Sequence, residues 1–206
     1  MAGIGFELRK LYREEGLVQN VRAYVFSSII TIGPMILCLI LMFGEQFLMK
    51  INDSTYLDNE LFVATMVYCF VLSIIVTSGF SMLVTRYIAD MIYQKKLEKV
   101  ISAFYGVLTI VLPISGILAV VFLIGVHENT WYKIVAYLFF IELVIIWMQN
   151  VFLSALKDYK RIVKGFAIGI FISLAVSYLL FQFLSIKTTI IALAGIDVGL
   201  ALIIGL

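Results

Sequence analysis

Residues 61–83 form an unbroken apolar run, LFVATMVYCFVLSIIVTSGFSML, without a single charged side chain. The run is longer than the ~20 residues that an α-helix needs to cross a hydrocarbon layer about 30 Å thick. Lipid offers no partner to an unpaired backbone group, so a spanning segment must be a helix or part of a closed barrel, and a barrel strand would alternate polar and apolar residues. The stretch therefore predicts a transmembrane helix.

Similar apolar runs lie on both sides of this stretch, at residues 23–48, 101–126, 134–156, 162–183 and 188–206. The chain is 63% apolar and 14% charged, with a mean hydropathy of +1.11, which excludes an ordinary soluble domain. We predict an all-α polytopic membrane helix bundle with six transmembrane helices over residues 23–206. The connections are short, so consecutive helices should be antiparallel neighbours.

The 15 basic residues are distributed unequally between the two sides of this pattern. Only Lys50, Lys133 and Lys187 fall on one side. The other side carries Arg9, Lys10, Arg13, Arg22, Arg86, Lys95, Lys96, Lys99, Lys157, Lys160, Arg161 and Lys164. The positive-inside rule places this richer side, and with it the N-terminus, in the cytoplasm.

Residues 1–22 precede the first run and form a predicted cytoplasmic amphipathic segment. Leu8, Leu11 and Tyr12 share one helical face, and Gly16 provides a helix stop. We expect a short helix on the inner leaflet, with docking to another protein as the alternative.

Several function classes have no support in the sequence. The net charge of +2 does not favour nucleic acid as a partner. Cys38 and Cys69 lie inside predicted spans as small packing residues, and His127, the only histidine, stands alone in a loop. We identify no catalytic, cofactor-binding or metal-binding residues and predict that the protein is not an enzyme.

Two carboxyl groups within the spans are the strongest functional candidates. Glu142 lies about eight residues into the fourth span and Asp197 about nine into the sixth, so both sit roughly 12 to 14 Å below the outer boundary. A charge at such depth costs at least ~2.5 kcal/mol unless it faces protein or water or becomes protonated. The matching depth predicts a shared cavity on a translocation or ion-coupling path.

Gln149 follows Glu142 by seven residues and shares its helical face, with Asn150 beside it. We include both amides in the predicted path. The alternative for Glu142 and Asp197 is interhelical hydrogen bonding by neutral carboxyls, worth ~0.6 kcal/mol per contact, without a transport role. Glu45 and the acidic residues Asp53, Asp58 and Glu60 could attract cations at an outer mouth, but a solvated loop is the simpler interpretation.

Other residues bear on packing and movement. Gly33 and Pro34 in the first span and Pro113 in the third remove or weaken backbone hydrogen bonds, which makes them candidate hinges. Arg86 is a candidate inner gate, with a membrane-surface anchor as the simpler interpretation. Two glycine pairs, Gly165 with Gly169 and Gly195 with Gly199, predict close helix packing.

Specific strings resemble the Pel exopolysaccharide export membrane protein family (its G component). They are MAGIGFELRK at residues 1–10, Gly33-Pro34, TRYIAD at residues 85–90, LKDY at residues 156–159 and GFAIG at residues 165–169. The resemblance covers the whole chain. One departure is Met35, where the family commonly has a tryptophan after Gly-Pro.

This resemblance implies a place in the multidrug, oligosaccharide-lipid and polysaccharide exporter superfamily, whose members typically have twelve or more helices in two lobes. It implies an inner-membrane exporter of Pel, a partly deacetylated and cationic polysaccharide. The implied partners are the lipid bilayer, a cytoplasmic Pel glycosyltransferase and cyclic-di-GMP-responsive membrane components. Six spans would make one lobe, so we expect residues 23–206 to be the N-terminal lobe of a longer protein. An ion-coupled small-molecule or drug antiporter and a non-transporting scaffold for a polysaccharide synthase are the alternatives.

Overall fold

A computed structural model of the protein describes residues 36–96, 98–155, 159–183 and 188–205, and within these ranges all the regular secondary structure is helical. The helices are α1 (residues 36–51), α2 (Tyr56–Tyr93), α3 (Glu98–Ile124), α4 (Thr130–Ala155), α5 (Tyr159–Phe183) and α6 (Thr188–Gly205). The all-α prediction is confirmed for this part of the chain. The amphipathic segment at residues 1–22 and the hinge candidates Gly33 and Pro34 lie outside the described residues.

Four of the helices are long and apolar enough to cross a membrane: α2, α3, α4 and, within α5, Ile162–Phe183. They coincide with the second to fifth predicted spans. The sixth span corresponds to α6, a shorter apolar helix, and the first to α1, described over residues 36–51. The protein is a membrane protein with at least four helices that fit a bilayer.

The longest helix, α2, has 38 residues and would extend about 57 Å if straight, well beyond the hydrocarbon layer. It continues through TRYIAD to Tyr93 and ends in a Schellman motif, in which Lys96 N donates to the Met91 carbonyl and Lys95 N to the Ile92 carbonyl. Lys95 takes the left-handed conformation (φ 56°) that glycine usually occupies at this position.

Two sets of connections define the ends of the bundle. We call the end with residues 52–55 and 125–129 the upper end, and the end with residues 94–96 the lower end. At the upper end, Thr55 accepts a hydrogen bond from Asp58 N as the N-cap of α2. The hydroxyl of Thr189, at the start of α6, donates to the Asp58 carbonyl oxygen over 3.0 Å. The upper ends of α2 and α6 therefore lie side by side.

Helix α4 is central, because it packs against α2, α3, α5 and α6. Its buried side chains include Phe139, Leu143 and Ile146, which belong to the largest apolar cluster. A smaller cluster at the lower end joins Ile88 of α2, Val100 of α3 and Phe152 of α4. Many large apolar side chains on α2 and α3 are exposed, as expected for helices that face lipid.

Candidate translocation site

The two predicted carboxyl residues face each other across the contact between α4 and α6. Glu142 and Asp197 are both half-buried and close enough to interact electrostatically. Glu142 Oε2 and Asp197 Oδ1 are each buried without a hydrogen-bond partner among the described residues. An unpartnered buried carboxyl oxygen is costly in an apolar environment, so this pair has capacity for a proton, a cation or a hydroxyl group.

The amides lie on the same side of α4, nearer its lower end. Gln149 Nε2 donates to the backbone carbonyl of Ile204 in α6 over 2.9 Å, and this pair has the same sequence offset of 55 residues as Glu142 and Asp197. A constant offset means that α4 and α6 run parallel and in register, with two polar contacts seven residues apart. The contact between α4 and α6 therefore satisfies one of the two N–H donors of the Gln149 amide.

A cavity of about 270 Å³ lies next to these amides, between α3 and α5. Gln149 and Asn150 supply its polar surface, and most of the remaining wall is apolar or aromatic, including Phe104, Tyr105 and Phe166. The predicted polar stripe is thus divided into a carboxyl pair in the middle of the bundle and an amide-lined cavity towards the lower end.

The structure contradicts the interpretation of Glu45 as part of a solvated mouth. Its side chain is fully buried in α1, where Oε1 accepts hydrogen bonds from Ser177 Oγ at 2.7 Å and Ser173 Oγ at 3.3 Å. Glu45 Oε2 is buried without a partner among the described residues. The error arose because Glu45 is close in sequence to the acidic loop, although α1 continues for six residues beyond it and keeps it inside the bundle.

A helical pattern would have located Glu45. Leu41, Glu45 and Met49 are spaced four residues apart, so they share one face of α1, and all are buried. Ser173 and Ser177 have the same spacing on α5. A carboxyl between two apolar residues on one face, opposite paired serines on another span, is the signal that sequence reasoning overlooked.

Glycines on α6 allow this second polar cluster to form. A Cβ atom built on Gly195 would lie 1.8 Å from Ser177 Oγ, and one built on Gly199 would lie 2.6 Å from the carbonyl oxygen of Gly169. The predicted close packing is confirmed for Gly169, Gly195 and Gly199. Gly165 differs, because its built Cβ would meet only Ile203, at 4.0 Å. Thus α6 separates Glu45 and its serines from the Glu142–Asp197 pair.

The remaining candidates are placed as follows. Pro113 lies inside α3, which continues without a break from Glu98 to Ile124. Arg86 is exposed on α2, seven residues before the end of the helix. Cys38 and Cys69 are free thiols, and Cys69 is close enough to Asp197 to interact with it electrostatically. Among the described residues, no group of three or more histidine, cysteine or acidic residues could hold a metal ion.

Comparisons with known proteins give one match, and it covers the entire sequence. No curated protein and no solved structure matches the chain significantly. The sequence pattern of the PelG family, described as an exopolysaccharide exporter (EPS-E), matches residues 1–206. Together with the apolar helices that fit a bilayer, this match assigns a transporter-type role with a polysaccharide substrate. The chain belongs to the PelG exopolysaccharide exporter family.

Proposed function

We propose that the protein moves a Pel-type exopolysaccharide across the cytoplasmic membrane, and that Glu142 and Asp197 line the path. The observation that carries this proposal is the pair of partly unsatisfied carboxyls held in register between α4 and α6. A cationic amino-sugar polymer offers ammonium and hydroxyl donors to such oxygens. The amide and aromatic side chains of the 270 Å³ cavity suit a sugar ring at the lower end of the path.

In this proposal the upper end of the bundle faces outwards and the lower end faces the cytoplasm, as the distribution of basic residues predicts. Residues 23–206 form six spans that act as one lobe, and a second lobe comes from further sequence or a partner chain. Transport follows a flippase-like alternating-access cycle between the two lobes. Pro113 acts as a hinge, and Arg86 anchors the inner end of α2. A Pel glycosyltransferase and cyclic-di-GMP-responsive membrane components supply and regulate the polymer.

Charge-neutral replacement of the pair tests the path. Glu142→Gln and Asp197→Asn keep the shape of each side chain but remove its ability to ionise. We expect each to lower polymer secretion about tenfold, equivalent to ~1.4 kcal/mol of barrier, with normal amounts of protein in the membrane. Secretion is measured with a polymer-specific lectin in a producing strain whose own exporter gene is deleted. Glu98→Gln, an exposed carboxyl at the start of α3, is the matched control and should secrete normally.

The same pair also favours one alternative, an ion-coupled small-molecule antiporter, because buried carboxyls of this kind mark proton and cation sites in membranes. Proton flux stimulated by a small substrate in proteoliposomes, without polymer export, would select this alternative. Normal export by the Glu142→Gln, Asp197→Asn double variant would instead eliminate the path and favour a scaffold for the synthase.

A further inference from the structure

We propose that a second cavity, between the upper parts of α2, α3 and α4, holds one acyl chain of a phospholipid from the leaflet at the upper end, with Lys133 beside the phosphate group. Neither Glu142 nor Asp197 lines this cavity. The lipid site therefore goes beyond the proposed transport function and does not depend on it. It is also independent of which side of the membrane the upper end faces.

The cavity has a volume of about 180 Å³ and an almost entirely apolar wall. Three alanines, Ala64 of α2, Ala119 of α3 and Ala136 of α4, line it and leave open the space that larger side chains would occupy. An empty space of this kind forfeits van der Waals contacts of its lining, and an alkyl chain would restore them.

Water has little to bind in this cavity. The Thr65 hydroxyl donates to the Leu61 carbonyl over 2.6 Å, which uses its only hydrogen. The bond between Thr65 and Tyr132 therefore has the Tyr132 hydroxyl as its donor, so both buried hydroxyls donate within the protein. An apolar cavity remains dry and takes up apolar molecules instead.

The position and length of the cavity match one leaflet of a bilayer. Tyr56 and Trp131 are exposed at the upper ends of α2 and α4, as in an interfacial aromatic belt. The cavity wall on α2 begins at Leu61, five residues further along, and reaches Leu72. These eleven residues extend for ~16 Å, and one leaflet supplies about half of a hydrocarbon layer ~30 Å thick.

Two aromatic rings lie on the side of the cavity that faces the lipid. Tyr68 of α2 and Phe122 of α3 line the cavity and are 55% and 44% exposed, with their ring centroids 5.8 Å apart. The wall on α4 is buried, with Phe140 only 3% and Ala136 only 2% exposed. Rotation of either exposed ring would give a chain in the bilayer access to this wall.

A cationic group lies at the level of the lipid headgroups. Lys133 is in the first turn of α4, two residues after the exposed Trp131 and next to Tyr132 of the cavity wall. It is half-buried and has no ion-pair partner among the described residues. Its alkyl stem can lie along apolar surface while the ammonium group reaches a lipid phosphate.

The test uses the full-length protein in phosphatidylcholine nanodiscs that contain a phosphatidylglycerol probe with a diazirine near the end of one acyl chain. Irradiation attaches the chain to the residues that it contacts, and mass spectrometry of the peptides identifies them. A lipid that only surrounds the protein reaches exposed residues such as Tyr68. A chain inside the cavity also reaches the buried wall, so we expect labelling of Phe140 and Ala136.

Three substitutions test the site. Ala119→Leu fills part of the cavity, and we expect it to lower labelling of Phe140 about tenfold. Ala64→Leu narrows the exposed rim and should act in the same direction, which preserves the test if Ala119→Leu does not fold. Lys133→Gln removes the headgroup contact and should lower the labelling about threefold. Ala89→Leu, at an exposed position on α2 away from the cavity, is the matched control and should label normally.

Three results would contradict the proposal. Labelling confined to Tyr68, Phe122 and other exposed residues would show an ordinary surrounding lipid and overturn the site. Equal labelling of Phe140 by a diazirine alkane without a headgroup would overturn the assignment to a phospholipid. Unchanged labelling in Lys133→Gln would contradict the contact with the phosphate group. These readouts do not monitor secretion, so they can fail while the effect of Glu142→Gln remains.

Discussion

At the scale of single residues, three buried carboxyls differ in how they are satisfied. Glu45, Glu142 and Asp197 each have one buried carboxyl oxygen without a partner among the described residues, and Glu45 in addition accepts hydrogen bonds through Oε1 from two serines of α5. The two hydrogen bonds fix the Glu45 side chain and link α1 to α5. A carboxyl oxygen without a partner can still accept a hydrogen bond from a ligand. Glu45 therefore joins α1 to α5, and transport remains the proposed role of Glu142 and Asp197.

Truncation of Glu45 tests this structural assignment. Glu45→Ala removes two interhelical hydrogen bonds of ~0.6 kcal/mol each and leaves a void in a fully buried site, so we expect a loss of at least about 2 kcal/mol. Glu45→Gln keeps the volume and one acceptor oxygen, so its cost should stay below about 1 kcal/mol. The measurement is reversible unfolding of the purified protein in mixed micelles.

Glu98→Ala serves as the exposed control, expected to change stability by no more than about 0.5 kcal/mol. If Glu45→Ala unfolded at the same denaturant fraction as this control, the hydrogen bonds to Ser173 and Ser177 would not stabilise the bundle.

At the scale of elements, the contact between α5 and α6 depends on the absence of side chains. The sequence pattern identified the relevant glycines, since residues four apart share a helical face. It could not rank them, because the consequence of an added methyl group depends on what the partner helix places opposite. Only the packed pair shows that Gly195 and Gly199 meet serine and backbone atoms, while Gly165 meets open space and the edge of Ile203.

Alanine substitution should separate these glycines. In Gly195→Ala the new methyl group would overlap Ser177, whose Cα atom also lies within 3.0 Å of it, so the helices must move apart. We expect a loss of about 1–3 kcal/mol and disruption of the serine bonds to Glu45. Gly165→Ala should be close to neutral, because the built Cβ has only one contact, at 4.0 Å.

Thermal unfolding followed by size-exclusion chromatography in detergent compares the two variants. Equal midpoints for Gly195→Ala and Gly165→Ala would show that α5 and α6 are not packed this closely in the membrane.

At the scale of the whole molecule, the orientation of the bundle determines which side of the membrane each of its ends faces. The basic residues predict that the lower end lies in the cytoplasm, and in this proposed orientation the 270 Å³ cavity would lie on the side of polymer synthesis. The carboxyl pair lies nearer the upper end than this cavity, and the proposed alternating-access cycle would expose the pair to each side of the membrane in turn.

Reporter fusions test this orientation. Alkaline phosphatase is active only outside the cytoplasm, so insertion after Asp53 or Glu128 should give active enzyme, and insertion after Lys96 should not. A green fluorescent protein that folds only in the cytoplasm should give the opposite pattern at the same sites. Phosphatase activity after Lys96 would invert the proposed orientation and place the 270 Å³ cavity on the outer side of the membrane.

Hydropathy and charge by themselves determined the helical class, the four long spans and a predicted sidedness. Three of these spans end within four residues of the observed helix ends, whereas α2 extends ten residues beyond the predicted end of its span. These properties follow from how each segment interacts with lipid and water, so they can be inferred from the composition of that segment alone. Depth also allowed Glu142 and Asp197 to be matched, because distance along a spanning helix measures depth directly.

Only the tertiary structure decided which helix faces meet. It moved Glu45 from a solvated loop into the core, paired Gln149 with a carbonyl of α6, and brought the hydroxyls of Thr65 and Tyr132 into hydrogen-bonding contact. These outcomes depend on rotation and register between helices, and a helix that is apolar on all sides carries little sequence signal for either. Contacts between small and polar side chains select the packing, and such contacts exist only once the helices have come together.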